Sequence, residues 1–387
     1  MATEILLVAG EASADLHAAA LVDHLRTRAG DLHFFGVGGP RLRELGMETI
    51  ARAESLNVVG GADWKDKWRE VLRAFRDVKK SATERKVAAA ILMDLPDFNL
   101  KLAKFLHRRG IPVIYYISPQ VWAWRRYRIR KIKKYVDKML VVFPFEKEFY
   151  ERHGVNVDFV GHPLLDDVQP RWAYRPQNEV RENPRIALLP GSRPSEVRHH
   201  AELLKATVAH VLQTHPTTKF ILPVAPTLDF ERVRQAFSDC AAIEVTPEDS
   251  REVLKSVDAA LVASGTATLE TAIVGTPFAL FYIVSRSSAF VVKYIVRYRG
   301  FFGMPNLLHN AEVVREFTQE RATPIALAAE CNRLIEDESY RQAMAEKLIQ
   351  CRDLLGRPGA SNRAASHILS YFDGRSTPSL DFLPAYT

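Results

Sequence analysis

Short apolar runs, often β-branched, alternate with longer helical segments along this chain, and the alternation occurs twice. In the first half strands are predicted at Glu4–Val8, His33–Val37, Val87–Met93, Val113–Ile117, Met139–Phe143 and Val157–Val160. Helices are predicted between them at Ser13–Arg28, Lys65–Glu84, Leu100–Arg109, Gln120–Tyr135 and Phe145–His153. Such alternation specifies a mostly parallel sheet covered by helices on both faces. Asp167–Pro184 is polar, carries three prolines and reads as a linker. The pattern then restarts, with strands at Ile186–Leu189, Lys219–Pro223, Ala242–Val245, Ala259–Ala263 and Phe278–Ile283. Helices dominate after Thr323, and residues 374–387 read as a loose tail. The expected fold is α/β: two doubly wound, Rossmann-like domains, 1–166 and 185–344, whose strand ends face a cleft.

The turn Ser264-Gly265-Thr266 lies between the strand Ala259–Ala263 and the helix Thr266–Ile273. The first N–H groups of that helix and the positive end of its dipole form an anion site suited to phosphate. Glu270, one turn in, suits a sugar's hydroxyl pair. The same turn also fits plain capping by Ser264 or Thr266. A second turn, Leu188-Leu189-Pro190-Gly191-Ser192-Arg193, again follows an apolar run and adds a guanidinium that forks phosphate oxygens. Two such turns point to a diphosphate. The Gly-x-x-x-x-Gly-Lys-Ser/Thr loop is absent, as is Gly-x-Gly-x-x-Gly.

Gly10-Glu11-Ala12-Ser13-Ala14-Asp15 follows the first strand. It reads either as an N-cap, through Ser13 or Asp15, or as a loop in which Glu11 and Ser13 grip hydroxyls or phosphate. Asp94 ends the buried run Ala88–Met93, where a desolvated carboxylate suits a general base. Asp97 is assigned to capping the helix near Leu100. Arg125–Lys134 holds seven basic residues interleaved with aromatic and aliphatic ones. A solvated face is the default for such a run, but a helix lying on anionic lipid headgroups fits the aromatics better. Phe290–Arg299, with Lys293 and Arg297, is a second basic and greasy stretch, read equally as an amphipathic core helix.

The net charge of +7 implies an acidic partner without choosing among nucleic acid, anionic lipid and phosphorylated substrate. No nucleic-acid reading motif accompanies the basic run. Three widely spaced cysteines argue for reduced thiols in a cytoplasm and against zinc. No signal-peptide pattern and no membrane-spanning run is expected.

Several of these segments recur together in one known family. They are Gly10-Glu11-Ala12-Ser13-x-Asp15, Asp94-x-Pro96-Asp97-Phe98-Asn99, Ser118-Pro119-Gln120-Val121-Trp122-Ala123-Trp124 and Phe143-Pro144-Phe145-Glu146, then Gly161-His162-Pro163, Leu188–Arg193, Ser264–Glu270 and Pro305-Asn306-Leu307-Leu308. In that order, and over nearly the whole chain, they resemble the lipid-A-disaccharide synthase family, glycosyltransferases of bacterial outer-membrane lipid assembly. Each motif is weak alone, while their joint order is specific. Ala14 departs from the family's usual glycine and adds a methyl to the first loop.

The resemblance implies a two-domain GT-B glycosyltransferase fold that works without a metal or other cofactor. It implies that the last helices, 345–373, cross back onto the first domain or onto a partner subunit in a C-terminally swapped homodimer. The implied reaction condenses UDP-2,3-diacylglucosamine with 2,3-diacylglucosamine 1-phosphate (lipid X), giving a β-1,6-linked disaccharide 1-phosphate and UDP. The site would open toward the cytoplasmic face of the inner membrane, the protein being peripheral. On this reading Asp94 is the base of an inverting displacement. Glu11, Ser13, Trp124 and Asn306 bind the sugars, and Ser192, Arg193, Ser264, Gly265, Thr266 and Glu270 bind UDP. Arg125, Arg126, Arg128, Lys293 and Arg297 face the membrane. A UDP-sugar 2-epimerase of the same architecture is the alternative, and it leaves the basic-aromatic run unexplained. A non-enzymatic lipid or nucleic-acid binder explains the charge but neither the two phosphate turns nor Asp94.

Overall fold

A computed structural model describes residues 3–56, 64–123, 125–166, 182–283 and 300–373. The chain divides into two units, one of residues up to Asp166 together with those from Leu355 onward, the other of the residues between. The first unit is built on β1 (Thr3–Ala9), β2 (Leu32–Gly38), β3 (Glu48–Arg52), β4 (Val87–Met93), β5 (Val113–Tyr116), β6 (Lys138–Val141) and β7 (Val157–Phe159). They form a parallel sheet in the order β3-β2-β1-β4-β5-β6-β7. The second unit holds β8 (Arg185–Leu189), β9 (Lys219–Pro223), β10 (Ile243–Thr246), β11 (Ala259–Ala263), β12 (Phe278–Tyr282) and β13 (Glu316–Thr318). Its parallel order is β10-β9-β8-β11-β12-β13.

The central strands β4 and β11 are apolar throughout because both faces are covered. In β11, Leu261 and Ala263 point into one core with the helices Pro194–Thr214 and Pro324–Glu336. Ala260 and Val262 point into the other. Strands β3 and β13 escape the sequence reading. Glu48–Arg52 is partly exposed and polar, and Glu316–Thr318 is only three residues long. Their pairing with β2 and β12 makes them strands.

The return to the first unit begins at Leu355, later than the expected residue 345. Ala345, Leu348 and Cys351 of the helix Glu338–Leu354 belong to the core of the second unit, which needs that helix to cover its sheet. The final helix, Ala360–Asp373, packs on Ala12–Ala29 of the first unit. Asp166 caps it from afar, accepting from the N–H groups of Gly359 at 2.7 Å, Ala360 at 2.9 Å and Ser361 at 3.0 Å. Residues 167–181 of the expected linker and the tail 374–387 lie outside the described residues.

Candidate active site

The strand order of the first sheet reverses between β1 and β4, and that of the second between β8 and β11. Ligands of open α/β sheets bind beside the carboxyl ends of strands at such a switch point. Gly10–Asp15 leaves β1, Asp94 leaves β4, Pro190–Arg193 leaves β8 and Ser264–Thr266 leaves β11. Topology therefore brings the singled-out segments together as two pairs, one in each unit.

Asp94 and Leu95 both lie in the left-handed region, at φ 53° and 39°, which costs a side-chain-bearing residue about 1–3 kcal/mol. Asn99, fully buried on the helix Pro96–His107, donates its amide to the carbonyls of Met93 at 2.9 Å and Asp94 at 2.7 Å. The Tyr115 hydroxyl of β5 donates to the same Asp94 carbonyl. Held by its backbone, Asp94 stands half-buried at the strand end. Leu95 leans over the first loop, so that a Cβ added to Gly10 would lie 1.8 Å from Leu95 Cδ1. The helix starts at Pro96, not near Leu100, and Asp97 does not cap it. Its carboxylate pairs with Arg125 at 2.9 Å and with Arg128 instead.

In the first loop Glu11 occupies the N-cap position through its backbone, and neither Ser13 nor Asp15 caps the helix. Ser13 is half-buried in the first turn. Asp15 is buried and accepts from the N–H groups of Gly39 at 2.7 Å and Arg41 at 2.9 Å, holding the β2 loop. Behind it the rings of His17 and His162 meet edge to face at 6.4 Å. Burial lowers His17 to about 4 and His162 to about 3, so both are neutral near pH 7.

The segment after β5 does not form the expected helix over Gln120–Tyr135. Among the described residues of that segment a short 3-10 turn at Arg126–Arg128 leads into an α-helix at Ile129–Tyr135. The reason is Glu146, a carboxylate buried at the start of the helix Pro144–Arg152. It accepts from Ser118 Oγ at 2.6 Å, Trp122 Nε1 at 3.3 Å and the Phe143 N–H at 3.2 Å, which folds the segment back on itself. Desolvation raises Glu146 to about 7, its hydrogen bonds opposing the shift. Arg128 is not available to a membrane, since it is buried against Asp97. Arg126 is exposed beside Tyr127, and Arg125 is exposed but paired to Asp97. Trp124, Lys293 and Arg297 lie outside the described residues.

In the second unit Gly191 takes φ 117°, and a Cβ there would meet Glu196 Oε2 at 2.3 Å. Glu196 accepts from the Ser192 N–H at 3.1 Å and from Arg193 at 3.2 Å, tying the turn to the first turn of the helix Pro194–Thr214. The Ser264 N–H donates to Phe281 O at 3.0 Å. Gly265 is itself the N-cap of Thr266–Val274, at φ 155° and ψ −161°, so neither Ser264 nor Thr266 caps the helix. An added Cβ at Gly265 would meet nothing within 4 Å. Glu270 is half-buried one turn further on.

Asn306, expected to bind a sugar, has its side chain engaged within the fold. It is fully buried, and its amide donates to Val314 O and Glu316 Oε1, both at 2.8 Å. Its oxygen accepts from the N–H groups of Val313 at 2.7 Å and Val314 at 2.9 Å. Every hydrogen-bonding position of the amide is thus occupied from within the protein. The sequence reading missed its partner Glu316, which also accepts from the N–H groups of Phe302 at 2.9 Å and Gly303 at 2.9 Å. It assigned no such role to Asn99 or Glu146, although both stand in the quoted motifs, and it missed Glu196, three residues beyond Arg193.

Residues 5–369 match the family model described as lipid-A-disaccharide synthetase. A lipid-A-disaccharide synthase of Anaeromyxobacter dehalogenans is 42% identical over 371 residues, covering 95% of this chain and 97% of that one. Solved structures share the fold at low identity. A UDP-GlcNAc 2-epimerase from Neisseria meningitidis, bound to UDP-GlcNAc, has a TM-score of 0.65 at 11% identity, covering 95% of this chain and all of that one. Acinetobacter baumannii MurG has 0.59 at 14%, covering 96% of this chain and all of that one.

Proposed function

The chain belongs to the lipid-A-disaccharide synthase family and is a glycosyltransferase of GT-B fold, and we propose that it joins UDP-2,3-diacylglucosamine to 2,3-diacylglucosamine 1-phosphate with inversion. The observation that carries this reading is the Asp94 turn, a carboxylate held at a switch point by a strained and triply hydrogen-bonded backbone. Asp94 removes the proton of the acceptor 6-hydroxyl as that oxygen attacks the anomeric carbon opposite the leaving UDP. Arg193 and the N–H groups of the helix Thr266–Val274 stabilise the charge that develops on the diphosphate. Glu270 accepts from the ribose hydroxyls, and Glu11 and Ser13 contact the acceptor. Asn306 and Glu316 hold the 302–314 loop of the second unit in place.

Membrane association is part of the same reading. Among the described residues no helix is long and apolar enough to cross a membrane. Trp68 and Leu72, four residues apart on the helix Trp64–Glu84, are 48% and 44% exposed, beside exposed Arg69 and Arg73. A surface of that kind, with Arg126 and Tyr127, suits the headgroup layer of an anionic bilayer. In a C-terminally swapped homodimer the helix Ala360–Asp373 makes its contacts on the partner subunit.

The test is UDP release from UDP-2,3-diacylglucosamine with and without the acceptor, for the unsubstituted protein and Asp94→Ala. Acceptor-dependent release that falls roughly 100-fold or more in Asp94→Ala supports both reaction and base. Release without acceptor favours epimerase or hydrolase chemistry. Near-normal turnover in folded Asp94→Ala removes Asp94 from the mechanism.

A further inference from the structure

His200 is fully buried on the helix Pro194–Thr214. Its Nδ1 lies 2.7 Å from Pro190 O, the carbonyl just before the Gly191-Ser192-Arg193 turn. Its Nε2 lies 3.2 Å from the backbone nitrogen of Ile283 and 3.1 Å from its oxygen, just past β12. A carbonyl only accepts, so Nδ1 carries the proton toward Pro190 and Nε2 accepts from the Ile283 N–H. Burial lowers the pKa of the ring, in keeping with this neutral form. The ring also stands edge-on to Phe281 at 5.0 Å, and the Phe281 carbonyl holds the Ser264 N–H. One imidazole thus links the β8 turn to β12, and β12 in turn carries the β11 turn.

We propose that His200 is a positioning residue for the donor nucleotide, setting the spacing of the two phosphate turns so that Arg193 and the Ser264–Thr266 turn grip one diphosphate. This rests on the reading of those turns as the UDP site. A helix and a strand end that drifted by about 1 Å would leave one turn out of register with the other phosphate. The link acts through the backbone, which is why the sequence shows only a histidine seven residues after Arg193.

The experiment is calorimetric titration of the full chain with UDP, together with donor and acceptor KM, for the unsubstituted protein and for His200→Leu, His200→Asn and His200→Gln. Asparagine places an amide donor where Nδ1 stood and keeps the Pro190 bond, whereas leucine and glutamine do not. The expected result is a weakening of UDP binding by roughly tenfold in His200→Leu, the scale of a lost buried hydrogen bond. Donor KM rises in parallel, acceptor KM is unchanged, and His200→Asn recovers most of the affinity. A folded His200→Leu protein that binds UDP as tightly as the unsubstituted one overturns the inference. Should His200→Leu fail to fold, equal UDP affinities of His200→Asn and His200→Gln overturn it. Failure of the unsubstituted protein to bind UDP overturns the reading of the turns, and the inference falls with it.

Discussion

The side-chain nitrogen of Asn99 lies 2.7 Å from the carbonyl oxygen of Asp94, five residues earlier, and that bond spans a turn in which two side-chain-bearing residues hold positive φ. The strain is local and the restraint is local. Removing the restraint while keeping Asp94 therefore tests how far the turn matters.

Asn99→Ala is expected to lower kcat by roughly 10- to 100-fold with small changes in both KM values, because Asp94 stays present but is misplaced. Two buried carbonyls lose a donor, so stability should fall by about 1–3 kcal/mol. Steady-state kinetics and urea unfolding of the same preparation check both parts. A variant with normal kcat would make the clamp purely structural.

Gly10 and Leu95 should behave as a coupled pair. Gly10→Ala puts a methyl where the Leu95 side chain sits, 1.8 Å from its Cδ1, and pushes on the residue next to Asp94. The expected loss of activity should be largely relieved by adding Leu95→Ala, which clears the space. A double-mutant cycle on kcat measures this, and additive effects would mean the contact carries no coupling.

Glu146 gives the folded protein an unusual pH response. The carboxyl titrates near 4.5 when unfolded and at about 7 when buried, so the folded state holds the proton more tightly. Its contribution is present in full below pH 4.5 and is lost as pH rises to about 7, a difference of about 3 kcal/mol. Glu146→Gln cannot titrate. Comparing the unfolding free energies of the two proteins at pH 5 and pH 8 should show the unsubstituted protein losing ground at pH 8. A constant difference would mean that Glu146 is not buried as described.

Arg126 and Arg128 are two residues apart yet should respond oppositely to substitution. Arg126→Glu should weaken binding to anionic vesicles, the more so at low salt, since screening acts beyond about 10 Å at 0.1 M. Arg128→Ala removes a buried partner of Asp97 and should lower stability while leaving vesicle binding largely intact in the folded fraction. Trp68→Ser should weaken binding at all salt concentrations. Vesicle sedimentation across a salt series separates the three.

The segments that organise the site were legible because each follows an apolar run and therefore ends a strand. Asp94, Ser264–Thr266 and Pro190–Arg193 are placed at strand ends on that ground alone. Their supporting residues are not. Asp97 looked like the cap of its helix, while Asn99 and Glu146 stood in motifs whose local pattern gives no sign of what their side chains hold. Asn306 was misjudged for the same reason, since a Pro-Asn turn says nothing of whether the amide faces a ligand or the backbone of Val313 and Val314.

The sequence by itself determined the two α/β halves, the segments that leave the strands at the switch points and the family, because periodicity and local turn residues are properties of neighbours along the chain. Only the tertiary structure decided which polar side chains serve the fold. Asn99 reaches back across a turn, Glu146 gathers Ser118 from 28 residues away, and Asp166 caps a helix that begins almost two hundred residues later. Buried polar groups must find partners wherever the packed chain offers them, and pattern along the sequence does not record where that is.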